Sequence, residues 1–136
     1  MNVIRLSIVG AVAASVMWWG GPLSAHHSIA GVYDSTKSVT VSAVIVEFRF
    51  VNPHPFVVAE TVEAGGVRSW HLEMDNRNEL AAIGMTAQTL RPGDRIVVTG
   101  SRSRTEERNL YIRKLVRESD GFEYEQVGTS PRIKQR

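Results

Sequence analysis

Residues 39–51 read as one long strand whose apolar face changes side half-way, which restricts the chain to a small, bent sheet. Successive side chains of a strand point to opposite faces. Val39, Val41, Ala43 and Ile45 therefore share one face early in the run. Later, Val44, Val46, Phe48 and Phe50 share the other, while Glu47 and Arg49 turn outward. A strand that swaps its buried face is bent or bulged. Small closed barrels need such a strand, because one strand must serve both halves of the sheet.

The remaining pattern is compatible with that geometry. Asn52-Pro53-His54-Pro55 interrupts the run, and its prolines forbid a central-strand role there. A second strand is expected over residues 56–63, burying Phe56, Val58 and Val62. Ala64-Gly65-Gly66 is a hairpin turn. A third strand over residues 67–74 points Trp70, Leu72 and Met74 inward and Ser69, His71 and Glu73 outward. Asn76 is placed to cap a short helix, with Glu79 at capping-box spacing and Gly84 as terminator. Leu90-Arg91-Pro92-Gly93-Asp94 is a tight turn before a fourth strand over residues 95–101. A fifth covers residues 110–118, and residues 122–124 suit a short terminal strand. The order β-β-β-α-β-β is the signature of the OB-fold. The expected fold is all-β: an OB-like five-stranded, partly open barrel with one short helix, over residues 26–128. Another small barrel or an open antiparallel sheet is the alternative. Residues 129–136 read as a disordered basic tail.

The first 25 residues stand apart from this pattern. Arg5 precedes an apolar run from Leu6 to Trp19, then Gly20-Gly21-Pro22 breaks the helix and Leu23-Ser24-Ala25 supplies small residues for cleavage. The run is shorter than the roughly 20 residues that span a bilayer. Residues 1–25 are therefore expected to be a signal peptide, and the working protein periplasmic or secreted, with no stable membrane anchor after cleavage near Ala25. The chain has no cysteine, so thiolate metal sites and thiol catalysis are excluded. With 16 Lys and Arg against 14 Asp and Glu, it shows no strong preference for a polyanionic partner.

Several short motifs occur in a fixed order: Ala25-His26-His27-Ser28, Tyr33-Asp34, Asn52-Pro53-His54, Trp70-His71-Leu72-Glu73, and Leu90-Arg91-Pro92-Gly93-Asp94 with Gly100. In this the chain resembles an uncharacterised family of small exported bacterial proteins, a domain of unknown function. One departure is Val51, where the family often has Thr. The resemblance implies export and a domain spanning nearly the whole processed chain. It implies no activity.

The four histidines, His26, His27, His54 and His71, are the residues that carry a chemical expectation. Cleavage after Ala25 makes His26 the first residue. It then offers its ring nitrogen and an α-amine, whose pKa of about 7.7–8 allows a metal to displace the proton at neutral pH. A second histidine completes a three-nitrogen brace suited to copper, with zinc the next candidate. His54, fixed between two prolines, is the best partner. His27 is poorer, because adjacent side chains of an extended segment diverge, and His71 would serve only if the N-terminal segment crossed its sheet. Cleavage one residue earlier would put a histidine third, also a strong copper chelator.

Plainer alternatives stand beside each of these. His26 and His27 suit a mobile tail, His54 a turn, and His71 a strand surface. Asp34, Glu73 and Asp75 suit supporting carboxylates or ordinary surface and cap positions. Trp70 suits the core more than a stacking platform. Arg102, Arg104, Arg108 and Arg113 with Tyr111 mimic an OB-type nucleic-acid groove, which export argues against. No Gly-x-Ser-x-Gly elbow is present. The sequence thus points to a periplasmic copper-binding protein rather than an enzyme, although copper oxidase chemistry stays open. The alternative is a metal-free accessory module that engages a partner protein or small ligand on its barrel face.

Overall fold

The computed structural model describes residues 28–135. The expected signal peptide at residues 1–25, with His26 and His27, lies outside the described residues. A single turn of helix, α1 (Ile29–Val32), leads into β1 (Tyr33–Arg49), followed by β2 (Phe56–Glu63), β3 (Gly66–Glu73), α2 (Arg77–Ala82), β4 (Arg95–Ser103), β5 (Asn109–Arg117), β6 (Glu123–Val127) and β7 (Ser130–Lys134). The strands form one sheet in the order β3-β2-β1-β4-β5-β6-β7, with every neighbouring pair antiparallel. In addition, β3 pairs with β5 in parallel through His71↔Asn109, Leu72↔Leu110 and Glu73↔Tyr111. The pairings therefore run from β3 through β2, β1 and β4 to β5 and back to β3. The fold is mostly β, as expected, but it has seven strands rather than five. No described helix is long and apolar enough to cross a membrane.

The face change in β1 is a bulge. The register with β2 shifts between Ile45 and Glu47, so Ile45 pairs with Ala59 and Phe48 with Val57. Ile45 and Phe48, three apart, thus reach the same core. The extra residue, Val46, is left outside, 45% exposed.

Strand β2 corrects the sequence reading. Val57 and Ala59 are buried, whereas Val62 is 88% exposed and Phe56 and Val58 face outward. Valines occupy both parities of this strand, so its own pattern is ambiguous. Its neighbours decide. Val57 sits opposite Leu72 and Ala59 opposite Trp70, both buried, and a one-residue slip would expose all of them.

Helix α2 follows the expected caps in part. The Asn76 side chain accepts from Asn78 N at 2.8 Å. At the other end Gly84 adopts φ 95°, with Gly84 N donating to Ala81 O and Met85 N to Leu80 O, a Schellman closure. Leu80 and Met85 on either side of the closure enter the core.

The expected disordered tail is instead strand β7. It hairpins back from β6 around Gly128, whose φ is 61°. Alternate residues face the acids of β6: Arg132 binds Glu125 at 2.6 Å and Lys134 binds Glu123 at 3.1 Å. Ile133 is the one apolar anchor against the core. A strand whose side chains are mostly exposed and charged has the composition of a solvated tail.

Candidate metal centre

His54 sits on a connection that is fixed from both sides. Arg77 N donates to Pro53 O at 3.0 Å, and Met74 N donates to Pro55 O at 2.8 Å. Arg77 Nε binds Phe50 O at 3.2 Å, and its guanidinium lies 5.0 Å over the Phe50 ring. The start of α2 and the end of β3 thus hold the β1–β2 connection in place. The His54 ring then meets Met74 O through Nδ1 at 3.1 Å. A carbonyl only accepts, so Nδ1 is the donor of this bond, and in the neutral ring Nε2 is the nitrogen with the lone pair. The side chain is 23% exposed.

Glu73, the last residue of β3, spans two partners. One carboxylate oxygen lies 3.8 Å from His54 Nδ1. The other accepts from the Tyr33 hydroxyl at 2.6 Å. Tyr33 is buried, with its ring 5.7 Å from that of Tyr111. Burial first, and then the bond to Glu73, push the Tyr33 hydroxyl well above its ordinary pKa, so it remains a donor.

Next along the chain, Asp75 is only 8% exposed. It accepts from Asn76 N at 3.0 Å and from Gln126 Nε2 at 3.2 Å. Arg113 holds the other end of Gln126, binds Ser101 Oγ at 3.1 Å and lies 4.9 Å over the Tyr111 ring. The Tyr124 hydroxyl is buried beside this group without a partner among the described residues. Burial raises the Tyr111 and Tyr124 hydroxyls, with Asp75 adding to both. Glu79 is raised by partial desolvation and by the nearby Asp75 carboxylate, against the opposing pull of His54. Acidic, tyrosyl and histidyl groups thus converge where β3 runs into α2.

A family model matches residues 13–110. The chain belongs to DUF6152, a family of unknown function. No curated protein and no solved structure matches it. The DUF6152 span includes Tyr33, His54, Glu73 and Asp75 but ends before Arg113, Tyr124 and Gln126.

The candidate ligands within the DUF6152 span are not gathered on one point. His71 lies on the outward face of β3, its ring stacked at 4.5 Å on Phe56. Burial pulls its pKa below the ordinary value, with Glu73 opposing. Among the described residues no group of three His, Asp or Glu could hold a metal ion. Asp34 serves a local turn, accepting from Thr36 N and Oγ1 and facing Arg104 at 3.6 Å. Trp70 is core, as expected, its Nε1 donating to Thr61 Oγ1 at 3.3 Å. Three of the four arginines singled out from the sequence are committed to partners: Arg104 to Asp34 and Ala30 O, Arg108 to Glu63 and the Trp70 ring, and Arg113 to Ser101 and Gln126. Sequence reasoning missed Tyr33 altogether. Its only signal was membership in the Tyr33-Asp34 motif.

Proposed function

We propose that this chain is an exported, periplasmic copper-binding protein in which His26, once terminal, and His54 hold the metal on an OB-like barrel. The observation that carries the reading is the state of the His54 ring. Metal-ligating histidines almost always donate their other ring N–H to a carbonyl or carboxylate, which fixes the tautomer. In its neutral form His54 meets that condition, with Nδ1 on Met74 O, Glu73 nearby, and Nε2 as the lone-pair nitrogen that would face a metal. The closed circuit of pairings through β1, β2, β3, β5 and β4 supports the OB-like reading, with β6 and β7 as additions. Copper is preferred over zinc for an all-nitrogen set. His27 and His71 are optional further ligands. The stacking of His71 on Phe56 favours His27 between them.

Two measurements test this. Mass spectrometry of the exported protein should find His26 as the first residue. Cu(II) titration followed by electron paramagnetic resonance should then show a nitrogen-rich site that weakens by at least tenfold in His54→Ala. Equal copper affinity in the two proteins refutes the proposal. The remaining reading is then the metal-free accessory module, for which the outward apolar face of β2 and β3, with Val62 and Val67 paired across it, is the surface to probe.

A further inference from the structure

Strand β2 carries apolar side chains on both of its faces. Val57 and Ala59 enter the core, while Phe56, Val58 and Val62 lie on the outer side. An antiparallel strand with one face in water normally alternates apolar and polar residues, and a strand apolar on both sides is one covered on both. The pattern continues beyond β2. The large apolar side chains exposed among the described residues are all valines, and Val44, Val46, Val62 and Val67 belong to the outer side of β1, β2 and β3. Exposed apolar side chains grouped on one face mark an interaction surface, whereas scattered ones need no explanation. A groove of about 230 Å³ opens on this side where β2 parts from β1, with Val44, Val62, Glu60 and Arg95 among its walls.

The charges on this face select what covers it. Val44 is paired with Glu60 on β2 and with Arg95 on β4, so the three form one row across the strands, acid on one side of the valine and base on the other. Glu60 and Arg95 are exposed, and neither is in an ion pair among the described residues. We propose that this face is the interface of a homodimer, in which a second copy packs against it across a two-fold axis running along β1 at Val44. A half-turn about that axis sets Val44 on its own copy and exchanges the ends of the row. Glu60 then meets the partner's Arg95, and Arg95 meets the partner's Glu60, the self-complementary pattern of an isologous contact. An axis running across the strands would instead set acid on acid and base on base. The interface is independent of the copper reading above. Contacts that bury less than about 1,200 Å² are weak, and a face this narrow should associate at about 10–500 µM.

Sedimentation equilibrium tests this on the chain as recovered from expressing cells, its N-terminus read by mass spectrometry, from about 5 µM to about 1 mM. Wild type should pass from monomer to dimer over that range. Val62→Asp should weaken association about tenfold or more by placing a charge in the apolar contact. Glu60→Arg and Arg95→Glu each oppose like charges, and each should weaken it about tenfold or more. An equimolar mixture of those two variants restores both pairings, so it should associate within about threefold of wild type. The substituted positions are exposed, and β circular dichroism of every variant should match wild type. A wild type that stays monomeric to about 1 mM refutes the second copy as occupant. A photocrosslinker at position 62 then shows whether a different protein or another part of this chain covers the face. Association that survives Val62→Asp unchanged uses another surface and overturns the proposal. Single charge variants that dimerise as wild type does, or a mixture that fails to recover, overturn the axis along β1 and the proposal with it.

Discussion

The parity of β2 can be tested with two valines five residues apart. Val57 is fully buried opposite Leu72, whereas Val62 is 88% exposed opposite Val67. Truncating Val57 to Ala removes two methylene equivalents, about 1.6 kcal/mol of transfer free energy at ~0.8 each. A residual cavity of roughly 40 Å³ adds about 1 kcal/mol. The expected loss is thus about 2–3 kcal/mol, which lowers the melting temperature of a domain this size by about 10–20 °C. Val62→Ala should change stability by less than about 0.5 kcal/mol. Thermal and urea unfolding of both variants, followed by circular dichroism with the metal chelated, read the difference directly. Equal losses, or a larger loss for Val62→Ala, would mean that β2 is paired one residue out of register. Phe56 would then leave the face it shares with His71, and the account of that histidine would go with it.

Three further perturbations probe other joints. Arg117 ties together the β3–β4 and β5–β6 connections through Thr89 O at 2.7 Å, Asp94 at 3.0 Å and a fork on Asp120. Arg117→Ala strands the half-buried Asp94 and should cost about 2 kcal/mol in urea unfolding. The Arg117 fork also holds the Asp120 carboxyl down to about 2. This contribution to stability is present above the unfolded value of about 4 and lost as pH falls towards 2, and the variant should lack that acid limb. A methyl group on Gly100 would meet Tyr111 O at 2.6 Å where the β4–β5 register shifts, so Gly100→Ala should destabilise by about 1–3 kcal/mol and broaden amide signals along both strands. Burial depresses His71, so the unfolded chain takes up the proton more readily. Its contribution is complete above about pH 6.5 and is lost as pH falls below it. His71→Gln should flatten urea midpoints between about pH 7 and 5, and an unchanged slope would contradict the burial assignment.

The parts of the fold legible in the sequence were those where side-chain type and period agree. The β1 bulge showed as a change of apolar parity. The inward face of β3 showed because Trp70, Leu72 and Met74 alternate with Ser69, His71 and Glu73, none of them aliphatic. Asn76 and Gly84 marked the helix because each does a job at a helix end that few residues do. Strands β2 and β7 were misread for opposite reasons. β2 has valine on both parities, so only its neighbours choose a face, and those contacts are long-range. β7 has one apolar anchor, Ile133, and its charged side chains meet Glu125 and Glu123 only once the hairpin with β6 has formed.

The site divides along the same line. His54 was legible because two prolines mark a fixed loop, and the structure adds what spacing could not supply, the Met74 carbonyl that assigns its proton. The Tyr33–Glu73 contact spans forty residues of sequence and exists only because β1 begins beside the end of β3. A tyrosine that opens a strand carries no local sign of such a contact.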